Sequence, residues 1–294
     1  MRKHNRKEKG FVPKPKPVVA ICYDFDKTLS PKDMQEYALF DKMGTTASEF
    51  WARSNEYSQK HSMDMILSYM KLIVDWSSIS KENALTRQDF FEMGPKVELF
   101  DGVEEWFENI NNVAIEMGII LEHYIISAGQ KEIIEGTSIA KYFKAIYASC
   151  FVYDQDDRPV WPNRVVNSTQ KTQYLYRINK NCLDMTDEHC VHAHMPHELR
   201  RVPFGNIIYI GDSFSDIPAM SIVAERGGHS IGVYNDSITD THLVKELLQQ
   251  KRINFFAPAD YTKASELYLL VSNILHKISI NEDLALISKG QLEN

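Results

Sequence analysis

The chain has 294 residues, with 33 Lys and Arg against 40 Asp and Glu, a net charge of −7. At 44% hydrophobic and 25% charged residues, the composition excludes collagen-like, coiled-coil and wholly disordered chains. No apolar run approaches the ~20 residues of a bilayer span. The charge is uneven: residues 1–17 hold seven Lys/Arg against the single acid Glu8, a net +6 that leaves −13 on the rest. The Lys-Pro alternation of this start predicts an extended basic arm, and no apolar segment follows it as in a secretory signal. A body at −13 argues against nucleic-acid binding, because phosphate backbones require a basic footprint. Cys22, Cys150, Cys182 and Cys190 show no C-x-x-C pairing, so no disulfides and a cytoplasmic location are expected.

In chain order, the first element is the apolar run Val18 to Tyr23, whose length and β-branched content predict a strand buried on both faces of a parallel sheet. Asp24-Phe25-Asp26-Lys27-Thr28 follows directly, at the strand end where open α/β sheets bind ligands. Residues 33–97 read as helical throughout, with Met63, Ile66, Met70 and Ile73 at helical spacing, too long for a connecting loop. This predicts a helical module inserted into a core formed by residues 18–32 and 98–280, with 281–294 as a tail. Asp101 and Glu104 predict a capped helix to about Met117, followed by a strand from Ile119 to Ile126 that arrives at Ser127-Ala128-Gly129. A helix from Glu132 to Phe143, a strand around Ala145 to Ser149 and a hairpin turning at Asp154–Asp157 come next. Ser168 or Thr169 is expected to cap a helix carrying Lys171. Asn206 to Ile210 predicts a strand ending in Gly211-Asp212-Ser213, and Ser230 to Tyr234 and Ile253 to Ala257 predict two more. The alternation implies a doubly wound parallel α/β sheet with an inserted helical cap.

Four polar clusters lie at or near the ends of these elements: Asp24/Asp26/Thr28, Ser127, Lys171 and Asp212/Asp216. In a parallel sheet the three strand-end clusters meet on one rim, and a lysine at a helix start reaches the same rim. In this order the set resembles the haloacid dehalogenase superfamily of phosphotransferases, over Asp24 to Asp216. The resemblance implies a Rossmann-like core and a Mg²⁺-dependent phosphatase acting on a small phosphorylated metabolite. It makes Asp24 the nucleophile and Asp26 the general acid and base. The metal falls to Asp24, the Asp26 backbone carbonyl and Asp212. Phosphate oxygens fall to Thr28, Ser127 and the backbone of Ala128 or Gly129, and charge balance to Lys171, with Ser213 and Asp216 in support. Lys180 lies on the same expected helix and is the alternative lysine. The chemistry agrees, since a phosphomonoester dianion must be neutralised before a carboxylate can attack it.

The helical insertion and the run Gly211 to Pro218 most resemble phosphoserine phosphatase-like members, with two departures. Asp33, nine residues after Asp24, stands where those enzymes carry a glutamate that contacts the substrate amino group. The stretch Met63 to Lys71 holds no arginine for a substrate carboxylate, which leaves Arg53 or Arg87 as candidates. The usual Gly-Asp-Gly-x-Asn-Asp is altered to Ser213 and Ser215. A phosphomutase would use the same aspartates, and a non-catalytic phosphate-binding protein would keep the fold. His189 to His197 alternates potential zinc ligands, but with no matching Cys/His pair elsewhere the segment is expected to be a solvent-facing loop.

Overall fold

The apolar run at residues 18–23 is the centre of the sheet. The computed structural model describes residues 16–79, 84–212, 214–235 and 241–292, so most of the basic arm and Ser213 lie outside the described residues. The strands are β1 (Val18–Tyr23), β2 (Ile120–Gln130), β3 (Phe143–Tyr153), β4 (Pro159–Arg164), β5 (Ile207–Gly211), β6 (His229–Tyr234) and β7 (Phe255–Pro258). They form one sheet in the order β4-β3-β2-β1-β5-β6-β7, parallel except for the antiparallel β3–β4 hairpin. Alternate residues of β1 face opposite ways: Val19, Ile21 and Tyr23 enter one hydrophobic core, and Ala20 and Cys22 the other. Period-two alternation with both faces covered is what makes the strand read as continuously apolar.

Between β1 and the next core helix the chain forms α1 (Leu39–Met43), α2 (Ala47–His61), α3 (Met65–Ile79) and α4 (Arg87–Met93). α2 and α4 each begin with a threonine capping box, Thr46 with Glu49 and Thr86 with Asp89, which satisfies otherwise orphaned first-turn N–H groups. Met70 and Ile73 of the predicted apolar stripe are buried. The core helices are α5 (Val103–Glu116), α6 (Lys131–Glu135), α7 (Lys171–Lys180), α8 (Glu188–His192), α9 (Ile217–Glu225), α10 (His242–Gln249) and α11 (Glu266–Leu292). Among the described residues, no helix is long and apolar enough to cross a membrane.

Several local expectations need correction. Gly102, not Asp101, caps α5; the Asp101 carbonyl instead accepts from the Tyr261 N–H, and Ser138 Oγ donates to the Glu104 carboxylate. The helix expected over 132–143 breaks at Gly136, where the Thr137 hydroxyl donates to the Ile134 carbonyl and competes with helix continuation. Neither Ser168 nor Thr169 caps α7: the Asn167 side chain accepts from the Gln170 N–H. The tail expected from residue 281 is the last three turns of α11.

Cys182 and Cys190 form a disulfide, contrary to the expectation of reduced thiols. Asn181, at φ +60°, turns the chain back after α7, and the Lys180 ammonium donates to the carbonyls of Val191 and Ala193. Together these dock α8 on the end of α7 and leave the two cysteines 5.8 Å apart at Cα, within bridging reach.

Candidate active site

In an open sheet the ligand crevice lies where the strand order reverses, outside the carboxyl ends of the two strands that diverge there. Here those strands are β1 and β5. The Asp24 N–H donates to the Ile210 carbonyl at 3.0 Å, so the chain leaves β1 still tethered to β5. Phe25 is buried, and its carbonyl accepts from the N–H groups of Thr28, Leu29 and Ser30. This winds residues 25–30 into a tight loop with Lys27 left-handed at its tip, φ +59°. The Asp24 carboxylate accepts from the Phe25 N–H at 2.8 Å through Oδ1 and meets Lys171 Nζ at 2.9 Å through Oδ2.

Lys171, the first residue of α7, is fully buried. Its ammonium lies between Asp24 Oδ2 and Asp216 Oδ1, the latter at 2.7 Å. The Tyr209 hydroxyl donates to the same Asp216 oxygen at 2.7 Å, and Thr28 Oγ1 donates to Asp212 Oδ1 at 3.2 Å. The structure therefore brings Lys171 to Asp24, whereas Lys180 is engaged at the far end of α7.

One cation faces several acids. Carboxylate oxygens of Asp24, Asp212 and Asp216 lie within 4.8 Å of one another, the one such cluster of three metal-capable groups among the described residues. The histidines of 189–197 form no such cluster there, and their segment carries α8 and a bridged cysteine rather than a plain loop. Burial, then Asp216, pushes the Asp24 carboxyl up to about 7 against the opposing pull of Lys171. Burial, Asp216 and Asp24 raise Asp212 well above the usual carboxylate range. Burial works against the Lys171 ammonium, but Asp216 and Asp24 outweigh it and its pKa is raised. A buried set of like charges with one lysine is short of positive charge, and an all-oxygen site of this kind fits a hard divalent cation such as Mg²⁺.

The second wall comes from β2, which runs past the Tyr23–Ile125 pair to Gln130 and shifts register against β3 between Ser127 and Gln130. Ser127 is buried, and its Oγ accepts from the Gly129 N–H at 3.1 Å. The Ala128 carbonyl accepts from the Tyr69 hydroxyl at 2.7 Å, tying this strand end to α3. A Cβ at Gly129 would lie 2.1 Å from Met34 Cε and 3.0 Å from Asp26 Oδ2, so a side chain there would require Met34 to move. Asp26 Oδ1 accepts from the Met34 N–H at 2.7 Å. Burial first, then Asp33 and Asp24, holds the Asp26 carboxyl well above its ordinary value.

Asp26 and Gly129 also border a cavity of about 280 Å³ that is lined as well by Asp33, Gln35, Trp51 and Tyr69. Asp33 pairs with Lys27 at 2.9 Å. Neither arginine candidate lines this cavity. Arg53 is exposed and borders a different cavity with Glu49 and Trp76, and Arg87 pairs with Asp157 at 3.6 Å, its guanidinium 4.4 Å from the Tyr153 ring. Sequence reasoning missed Tyr209, Tyr69 and Trp51. Tyr209 was detectable in principle, since it lies two residues before Gly211 and so on the same sheet face. Tyr69 and Trp51 were indistinguishable from helix core.

A family model described as haloacid dehalogenase-like hydrolase matches residues 21–221. An uncharacterized protein of Borreliella burgdorferi is 28% identical over 277 residues, which cover 85% of this chain and 94% of that protein. Among solved structures, a HAD family hydrolase from Salmonella enterica serovar Typhi superposes with a TM-score of 0.56 at 16% identity, over 89% of this chain and 73% of its own. A substrate-bound phosphoserine phosphatase superposes at 0.52 with 13% identity, over 82% of this chain and 93% of its own. The two superpositions show a shared fold, and the matched span contains the end of β1 from Ile21, all of β5 and every residue of the cluster described above. The chain belongs to the haloacid dehalogenase-like hydrolase family.

Proposed function

We propose that the protein is a Mg²⁺-dependent phosphomonoester hydrolase that works through a phosphorylated Asp24. The observation that carries this reading is the fully buried Lys171 held between Asp24 and Asp216, beside a third carboxylate, at the strand-order reversal. Mg²⁺ held by the Asp24 and Asp212 carboxylates and the Asp26 backbone carbonyl would supply the charge that keeps Asp24 ionised and offsets the phosphate dianion.

Asp24 attacks phosphorus, and the bond from phosphorus to the ester oxygen breaks. Asp26, whose burial and acidic neighbours favour its protonated form, gives its proton to the departing alkoxide. As a carboxylate it then takes a proton from the water that attacks phosphorus, which releases phosphate and restores Asp24. Lys171 offsets charge on the phosphoryl oxygens, and Asp216 with Tyr209 positions it. Ser127 Oγ is already an acceptor for the Gly129 N–H, so its own hydroxyl hydrogen remains to donate to a phosphate oxygen. Thr28 orients Asp212 through the bond at 3.2 Å.

Asp24→Asn tests the reading with p-nitrophenyl phosphate and Mg²⁺. The variant is expected to lose turnover by at least about 10³-fold, the scale on which removed nucleophiles act, while keeping the wild-type circular dichroism spectrum. Magnesium-dependent turnover undiminished in the variant overturns the nucleophile assignment.

A further inference from the structure

We infer that the substrate's leaving alcohol carries a cationic amino group and no carboxylate, so that the natural ester is a small amino-alcohol phosphate. This rests on the phosphatase reading above. The cavity that begins at Asp26, the group placed to protonate the leaving oxygen, is the space available to that alcohol. At about 280 Å³ it lies at or below the small end of ligand pockets, roughly 300–1,000 Å³. It suits a leaving group of a few heavy atoms rather than a nucleoside or a sugar chain.

The charge of the walls separates amino from carboxylate. Asp26 and Asp33 line the cavity, and among the described residues no lysine, arginine or histidine does. A substrate carboxylate would be desolvated against two acids with no cation to meet it, an arrangement that proteins avoid because an unpaired buried charge is costly. Arg53 borders a different cavity, and Arg87 is paired with Asp157. Lys27 touches Asp33 but is itself half-exposed and does not line the cavity.

Three groups of the remaining walls suit an ammonium. Trp51 packs edge-on against Tyr69, ring centroids 5.7 Å apart at 82°. The Tyr69 ring is pinned by its hydroxyl, which donates to the Ala128 carbonyl and accepts from Gln130 Nε2 at 3.2 Å. Two fixed aromatic rings beside a carboxylate attract a cation through the ring quadrupole. Gln35 is 2% exposed, and its Oε1 has no hydrogen-bond partner among the described residues, which leaves a buried acceptor at the same wall. The Lys27–Asp33 pair does not block the site, because a half-exposed ion pair is weak and an incoming ammonium can share the carboxylate.

The test measures phosphate release by the full chain with Mg²⁺ from four esters. These are phosphoethanolamine, its uncharged isostere n-propyl phosphate, O-phosphoserine, and p-nitrophenyl phosphate as the reference for phosphatase activity itself. The expected kcat/KM for phosphoethanolamine exceeds that for n-propyl phosphate by about tenfold or more, the scale of one desolvated cation–aromatic contact with a carboxylate beside it, and exceeds that for phosphoserine by more. Asp33→Asn is expected to reduce the phosphoethanolamine to n-propyl phosphate ratio toward one. Phosphoserine cleaved as well as phosphoethanolamine, or a ratio near one in the wild-type protein, overturns the inference while the phosphatase reading stands. Failure to cleave any of the four overturns both.

Discussion

The acid cluster should make the metal-free protein less stable than a variant that lacks one of its charges. A carboxyl whose pKa rises on folding binds its proton more tightly in the folded chain than in the unfolded one. The folded state is therefore favoured at low pH and loses that advantage as pH climbs from about 4 through the folded value. Asp24 rises from 3.8 to about 7. That gap corresponds to a stability loss on the order of 4 kcal/mol by pH 8. An asparagine side chain keeps the shape of the neutral acid, so in EDTA at pH 8 Asp24→Asn should be more stable than wild type. For a chain of this size the gain is roughly 5–10 °C in Tm. At pH 4.5 the gap should shrink to on the order of 1 kcal/mol, because Asp24 is then protonated in the folded wild type and only its ionisation in the unfolded chain remains. His123, pushed down to about 3 by burial, and His229, down to about 4 by burial and Lys277, act in the opposite sense, but they are common to both proteins and cancel in the difference. Saturating Mg²⁺ should close the pH 8 gap by stabilising the wild type more than the variant. Scanning calorimetry across pH, with EDTA and with Mg²⁺, reads all of this. A variant no more stable than wild type in EDTA at pH 8, or a gap that does not change with pH, refutes the argument.

Two further outcomes follow from the same geometry. Asp26→Asn should lower kcat on an alkyl phosphate by about 10²–10⁴-fold, the usual worth of a general acid, and by much less on p-nitrophenyl phosphate, whose phenolate leaves without a proton; equal losses on the two esters in steady-state assays would remove the acid role. Lys171→Met should cost about 3–5 kcal/mol in urea unfolding at pH 8, because it strands two buried carboxylates, with a smaller cost at pH 5, where Asp24 takes up a proton.

What could be read from the sequence follows the strength of local signals. The burial of β1 on both faces leaves a continuous apolar run, and the polar residues that crowd its end are conspicuous against it, so Asp24, Asp26 and Thr28 stood out by position alone. Ser127 and Asp212 followed from the same contrast at the ends of β2 and β5. Lys171 was favoured over Lys180 because the start of α7 lies nearer the sheet rim than its end; the packing of that helix against the sheet buries the first and leaves the other on the carbonyls of residues 191 and 193. The Cys182–Cys190 bridge depended on a left-handed turn at Asn181, which spacing alone does not announce. Trp51 and Tyr69 carry the same apolar signal as any helix core, and their place at the cavity is set by how α2 and α3 meet the end of β2. The arginine candidates failed for a related reason, since a charged residue on an amphipathic helix is placed by the helix's rotation, and that rotation follows the buried stripe.

The central claim is that phosphate passes through Asp24, and the direct measurement is to catch it there. Enzyme turning over a phosphomonoester with Mg²⁺ is quenched in acid and treated with borohydride, which converts an aspartyl phosphate to homoserine, and the peptides are then sequenced by mass spectrometry. The account predicts homoserine in place of Asp24, dependent on both substrate and Mg²⁺. Modification at any other aspartate, or sustained turnover with Asp24 unmodified at every quench time, contradicts it.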